Sequence, residues 1–155
     1  MLRNARLKPV PGRAEGAKGQ RYQLDDQVGF LLRIATQRHT AIFMSRMVDG
    51  LTPPQFAALA KLLEVGPCSQ NHLGRLIYLD GATIKGVIDR LRARRLVTTQ
   101  KDPNDKRRRA IALSDTGRRT AEAAVAVAAE ITAETLAPLT LEEQRLMGRL
   151  LRKLG

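Results

Sequence analysis

The chain has 155 residues, with 27 Lys and Arg against 15 Asp and Glu, a formal net charge of +12 and a pI near 11.0. That length suits one domain, or one domain with a dimerisation extension, and the charge favours a polyanionic partner: DNA, RNA or an anionic membrane. Two Tyr, three Phe and no Trp argue against single-strand binding by base stacking, one cysteine allows no intrachain disulfide, and no apolar run approaches the roughly 20 residues of a bilayer span.

Residues 1–21 are rich in Gly, Pro, Lys and Arg and lack periodicity, so they read as a flexible basic arm. No apolar stretch follows the basic N-terminus, so no secretory signal is expected, and the expected location is the cytoplasm. From Leu24 the pattern turns helical. Val28, Leu31, Leu32, Ala35, His39, Ile42 and Phe43 form an inward stripe up to about Val48, and Asp49-Gly50 ends it. Thr52, Pro53 and Gln55 announce a second helix with a capping box, carrying Phe56, Leu59, Ala60 and Leu63 on one face. Gly66-Pro67 stops it.

Ser69 caps a short third helix with Leu73, Leu76 and Ile77 inward, and Asp80-Gly81 caps a fourth. There Ile84, Val87, Ile88 and Leu91 fall at i, i+3, i+4 and i+7. Two short helices a few residues apart, the second basic on its outer face, are the helix-turn-helix pattern. Leu96 to Gln100 is then β-prone, Asp102-Pro103-Asn104-Asp105 is a turn cluster, and Arg109 to Leu113 reads as a return strand. Ser114 caps a long alanine-rich helix over 115–136. After Pro138, Thr140 and Glu143 form a second capping box for a last helix bearing Leu146, Met147, Leu150, Leu151 and Leu154. The fold class is mainly α with a small β-hairpin wing: a winged helix-turn-helix with flanking helices.

Two constellations carry chemistry. The outer face of the fourth helix holds Ala82, Gly86 and Asp89, flanked by Thr83, Lys85 and Arg90. Small residues let a helix sink into a major groove. Thr83 and Lys85 lie near the N-terminal end that meets base edges, and Arg90 is placed for a phosphate. The hairpin tip carries Lys106, Arg107, Arg108 and Arg109, whose mutual repulsion a polyanion relieves. A narrow arginine loop fits a minor groove. Arg107 is the residue expected to reach DNA, with Asp105 orienting it through a salt bridge. Catalytic readings fare poorly. There is no Gly-rich phosphate loop and no Cys/His metal spacing, and His39 and His72 complete no triad, so neither enzyme activity nor a cofactor is expected.

The segments Asp89-Arg90-Leu91, Leu96-Val97, Asp102-Pro103-Asn104-Asp105-Lys106-Arg107 and Leu113-Ser114-Asp115-Thr116-Gly117 stand in an order and spacing that resemble the MarR family of bacterial winged-helix regulators. The resemblance covers roughly Leu24 to Leu154. It departs at Arg95, where the family usually has Gly at a helix end, and at Thr99, where a basic residue is common. It implies a homodimer whose helices over 22–50 and 118–155 interlock around a winged helix-turn-helix over 51–117. The two recognition helices would then meet a pseudo-palindromic operator about 34 Å apart.

The resemblance also implies a sensor. The stretches Asp26 to Arg33, Gln37-Arg38-His39-Thr40 and Gly66 to Gly74 are similar to those of the repressors of nicotinate degradation within this family. A small aromatic carboxylate, hydroxynicotinate-like, is therefore the expected effector. Arg33, Arg38 and His39 are its expected polar partners, with Phe43, Phe56 or Tyr78 as aromatic lining. Cys68, in a turn without a second cysteine, reads as a small packing residue. A redox-sensing regulator of the same fold and a sequence-independent nucleic-acid-binding protein stand as alternatives.

Overall fold

Short-range caps decide where this chain becomes helical. Thr52 N–H donates to Gln55 Oε1 (3.0 Å), closing the capping box of α2 (Pro53–Val65). Ser69 Oγ accepts from His72 N–H at the start of α3 (Gln70–Leu76). Asp80 Oδ1 accepts from the amides of Ala82 and Thr83 (3.0 and 2.9 Å), opening α4 (Gly81–Ala93). Ser114 does the same for α5 (Asp115–Leu136) and Thr140 for α6 (Leu141–Leu154). α1 (Val28–Arg46) starts at Gln27 without a side-chain cap. Each cap satisfies amides that a helix start would otherwise leave unpaired. The computed structural model describes residues 22–102, 105 and 107–155. The basic arm expected over 1–21, and Lys106, lie outside the described residues.

Strands β1 (Val97–Lys101) and β2 (Arg109–Leu113) pair antiparallel, Val97 opposite Leu113 and Lys101 opposite Arg109. Cys68 adds a bridge on the other edge. Its N–H donates to Ile111 O (3.2 Å), and Ile111 N–H donates to Cys68 O (2.8 Å). The turn before α3 is thereby stitched to the wing. The core gathers Leu59 and Leu62 of α2, Leu73 of α3, and Ile84, Ile88 and Leu91 of α4 against Val97, Ile111 and the Ala121, Ala124 and Ile131 face of α5.

The Leu113 to Gly117 motif now has a physical reason. Ser114 N–H donates to Leu96 O (3.1 Å) and Ser114 Oγ donates to Arg95 O (2.7 Å). These bonds draw α5 so close to the end of α4 that a Cβ on Gly117 would lie 1.7 Å from Leu96 O. Arg95, which departs from glycine, still takes the left-handed conformation (φ 57°) and keeps the family's turn without its usual residue. Asp49 is also left-handed (φ 53°). Its carbonyl accepts from Arg94 Nη2 (2.7 Å), and its carboxylate accepts from the Thr120 hydroxyl (3.3 Å).

The stripe expected to point inward along α1 is corrected. Only its C-terminal end, Ile42 and Phe43, packs into this chain's core, whereas Val28, Leu31, Leu32 and His39 are exposed. α6 buries no residue at all, leaving Leu146, Leu150 and Leu151 open. These faces extend beyond the core that one chain supplies. Among the described residues no single helix is long and apolar enough to cross a membrane.

Candidate DNA-binding and effector sites

The outer face of α4 is built as its sequence implied. Ile84, Val87, Ile88 and Leu91 are buried, which turns Ala82, Thr83, Lys85, Asp89 and Arg90 outward, with Gly86 half-buried among them. Three of these polar side chains, Thr83, Lys85 and Asp89, already have internal partners. Thr83 Oγ1 donates to Asp80 Oδ2 (2.7 Å), and Lys85 Nζ meets Asp89 Oδ2 (2.7 Å) while Arg92 meets Asp89 Oδ1 (3.0 Å). The Thr83 amide and hydroxyl hold the Asp80 carboxyl below its usual value, and Lys85, then Arg92, do the same for Asp89. A Cβ on Gly86 would meet only Arg90 Nη1, at 3.7 Å, so the arginine folds back over a face with room for close approach. Thr99, where a basic residue was expected, receives Arg92 Nη2 (3.2 Å), which brings a cation to that place from α4 instead.

At the wing tip Arg107 and Arg108 are exposed. The expected Asp105–Arg107 salt bridge is corrected. Asp105 Oδ1 accepts the Arg107 backbone amide (3.0 Å), and its ion pair is with Arg108 Nε (3.3 Å). An Asx-type turn shapes the tip, so the carboxylate sets the backbone and leaves the Arg107 side chain outside the pairing.

The residues expected around an effector do not converge as a set. His39 borders an apolar cavity of about 280 Å³ between α1, α5 and α6, with Leu32, Ala35, Thr135, Met147 and Leu151. Its Nδ1 lies 2.9 Å from Thr135 Oγ1. Arg38 is adjacent, but both its terminal nitrogens donate to α5 carbonyls, Thr135 O and Glu134 O, so it caps the C-terminus of that helix. Arg46 pairs with Glu134 further along the same contact. Arg33 stacks 5.0 Å over the Phe30 ring and borders a separate open groove with Gln37 and Met44. Phe43 is a core residue, edge-on to Phe56 at 5.8 Å. Tyr78 stands 91% exposed in the turn between α3 and α4, with a left-handed backbone (φ 57°), and does not line the cavity that His39 borders. Sequence reasoning missed Thr135, Met147 and Leu151. Their contact with α1 spans about a hundred residues and leaves no local mark. Cys68 is half-buried in the wing sheet, and burial, then Asp102, pushes its thiol pKa up, which makes it a poor nucleophile.

A helix-turn-helix with a small, cation-edged second helix, backed by a hairpin carrying arginines at its tip, defines a winged-helix DNA-binding regulator. Residues 49–108 match the model of the MarR family. The chain is 40% identical to the HTH-type transcriptional repressor NicR of Pseudomonas putida over 86% of this chain and 85% of that one. This chain belongs to the MarR family; it is a transcriptional regulator and not an enzyme. Among solved structures it is similar to a probable transcriptional regulator from Pseudomonas aeruginosa (TM-score 0.82, 51% identity, 86% of this chain and 100% of that one). It is also similar to Bordetella bronchiseptica BpsR, whose DNA binding is regulated by 6-hydroxynicotinic acid (TM-score 0.80, 40% identity, 87% and 97%).

Proposed function

We propose that the chain is a homodimeric repressor that holds a pseudo-palindromic operator and releases it when a small aromatic carboxylate of the hydroxynicotinate type binds. The observation that carries the reading is the cavity beside His39. It is apolar, polar only at the His39, Thr36, Thr132 and Thr135 rim, and its roughly 280 Å³ sits at the small end of ligand pockets, suited to one ring. His39 is the carboxylate's partner in this reading, and Arg38 fixes the α5 end that presents Thr135. The exposed apolar residues Leu32 of α1 and Leu151 of α6 border the cavity, and the exposed apolar faces of these two helices support dimerisation, since uncovered apolar faces mark interaction surfaces. The likeness to NicR and to BpsR supports the effector class.

In the dimer, Thr83, Lys85 and Gly86 would meet base edges, Arg90 a phosphate, and Lys106, Arg107 and Arg108 the minor groove. An effector seated between α1, α5 and α6 acts by favouring a spacing of the two α4 helices that no longer matches the operator. The test is a titration of 6-hydroxynicotinic acid and benzoate into the complex with duplex DNA from upstream of the protein's own gene. Release by the hydroxynicotinate is expected, and His39→Ala should raise the concentration required about tenfold, equivalent to ~1.4 kcal/mol. No release by either acid removes the effector reading and leaves DNA binding standing. Binding to the upstream duplex no tighter than to bulk DNA at physiological salt removes the repressor reading.

A further inference from the structure

The outer face of α4 carries one feature that does not suit a polyanionic partner. Asp89 is the single acidic residue between Gly81 and Ala93, and it stands exposed on the face proposed to meet DNA. A carboxylate there repels phosphate. It does not cap the helix, a task that Asp80 fills. Its oxygens are divided between two cations. Oδ2 accepts from Lys85 Nζ (2.7 Å) and Oδ1 from Arg92 Nη1 (3.0 Å). Arg92 is itself tied to Thr99 of β1 through Nη2 (3.2 Å), so the carboxylate is held from behind by a guanidinium braced against the wing sheet. Lys85 is differently placed. Side chains on a helix lean toward its N-terminus, so an unpaired Lys85 would extend over the Gly81 turn, the end that meets base edges. The bond to Asp89, four residues on, draws its ammonium the other way along the helix.

We propose that Asp89 is a specificity-determining residue: it withholds Lys85 from DNA of arbitrary sequence and yields it where a guanine edge in the major groove outcompetes the carboxylate. The inference rests on the DNA-binding reading of α4. An exposed pair four residues apart is weak in water, so Lys85 is free to exchange partners. The sequence decides whether the exchange is favourable. A phosphate offers one negative charge for the one given up and leaves Asp89 facing the same polyanion. A guanine offers two acceptors, O6 and N7, at a fixed place on the groove floor. Arg92 stays on the carboxylate in either case, so Asp89 is never left without a counter-charge. Gly86, next to Lys85, adds no side chain to obstruct the swing. A repulsive element that lowers affinity for the wrong partner more than for the right one is a general route to specificity. Asp89 acts through Lys85 and is a positioning residue for it.

The test measures affinity of the full chain for a mixed-sequence duplex and for the upstream duplex by fluorescence anisotropy over a salt series. Asp89→Asn is expected to tighten binding to the mixed duplex about fivefold at 0.15 M salt and to steepen its slope of log K against log salt by about 1, the effect of one added phosphate contact. Affinity for the upstream duplex should change less than about twofold, because Lys85 is already released there, so the ratio of the two affinities falls. Lys85→Gln combined with Asp89→Asn should abolish the gain on the mixed duplex. Asp89→Glu, which keeps a carboxylate at the same place, should retain the wild-type ratio. Glu64→Gln makes the same charge change beside Lys61 on α2 and should leave the ratio unaltered. Equal tightening on both duplexes, or a gain that survives loss of Lys85, makes Asp89 a general charge and overturns the proposal. A weaker upstream complex with the mixed duplex unchanged means that the carboxylate reads a base itself, and also overturns it. Both results spare the DNA-binding reading, which falls with the proposal if the wild type binds neither duplex. Circular dichroism checks that each variant is folded.

Discussion

Gly117→Ala probes the joint between the winged helix and α5. The added Cβ would start 1.7 Å from Leu96 O and 2.7 Å from Leu96 C, both backbone atoms that cannot swing aside as a flexible side chain would. Reaching even 3.0 Å requires an opening of about 1.3 Å, and that opening stretches Ser114 N–H to Leu96 O and Ser114 Oγ to Arg95 O. Losing two such bonds is worth roughly 1–3 kcal/mol and overpacking adds roughly 1–3 kcal/mol, while alanine's better helix propensity returns about 1 kcal/mol. The net is a destabilisation of about 3 kcal/mol, or a fall in Tm of roughly 6–12 °C for a chain of this length. Thermal melts followed by circular dichroism, at one fixed protein concentration because a dimer's Tm depends on it, give the answer. Gly148→Ala on α6, where a Cβ would meet only the Arg152 guanidinium at 3.7 Å or beyond, is the matched control. A Tm for Gly117→Ala within about 2 °C of the wild type would refute the packing argument.

Gly86→Ala should move stability and affinity in opposite directions. With no clash in the free protein, it raises stability by roughly 0.5–1 kcal/mol, yet its methyl in the groove weakens operator binding roughly tenfold, read by melting and anisotropy on one preparation. Arg95→Gly relieves a left-handed residue and should raise stability by about 0.5–1 kcal/mol, less than the full left-handed penalty because glycine loses more entropy on folding; a lower Tm would contradict it. The Asp80 carboxyl is held below 3.8, so its contribution to stability is complete at neutral pH and is lost as pH falls below that value through the folded pKa. Asp80→Asn, which keeps a capping oxygen but cannot carry the charge, should therefore lower stability at pH 7 and flatten the acid limb of a stability–pH curve below about pH 4, so that the two proteins converge at low pH.

What was legible in the sequence was local. Ser69, Asp80, Ser114 and Thr140 announce their helices because donor and acceptor lie two or three residues apart, and the 3–4 spacing of Ile84, Val87, Ile88 and Leu91 fixes which face of α4 is left outside. The effector residues were less legible for the opposite reason. Arg38 and His39 meet the end of α5 across nearly a hundred residues, and no spacing rule reports that Arg38 is used to cap a helix. Tyr78 was drawn toward the pocket because an aromatic acid calls for rings. In the structure Tyr78 is the left-handed, exposed residue that follows α3, and nothing in the sequence gives a tyrosine as that residue. The stripe of α1 reads as inward because periodicity reports that a face is apolar, not which chain covers it.

Asp49 joins parts that are otherwise separate in the chain. It ends the α1 segment, takes Arg94 from the far end of α4 on its carbonyl, and takes Thr120 of α5 on its carboxylate. It is a fulcrum: α4 is anchored there through Arg94 at its C-terminal end, and Thr83 near the other end lies 11 residues away, about 17 Å at 1.5 Å of rise per residue. A shift of α1 against α5 that tilts this anchor by a few degrees is multiplied along that arm into a displacement of an ångström or more at Thr83 and Lys85. The geometry of this joint would turn a small tilt among the outer helices into a larger displacement at the N-terminal end of α4.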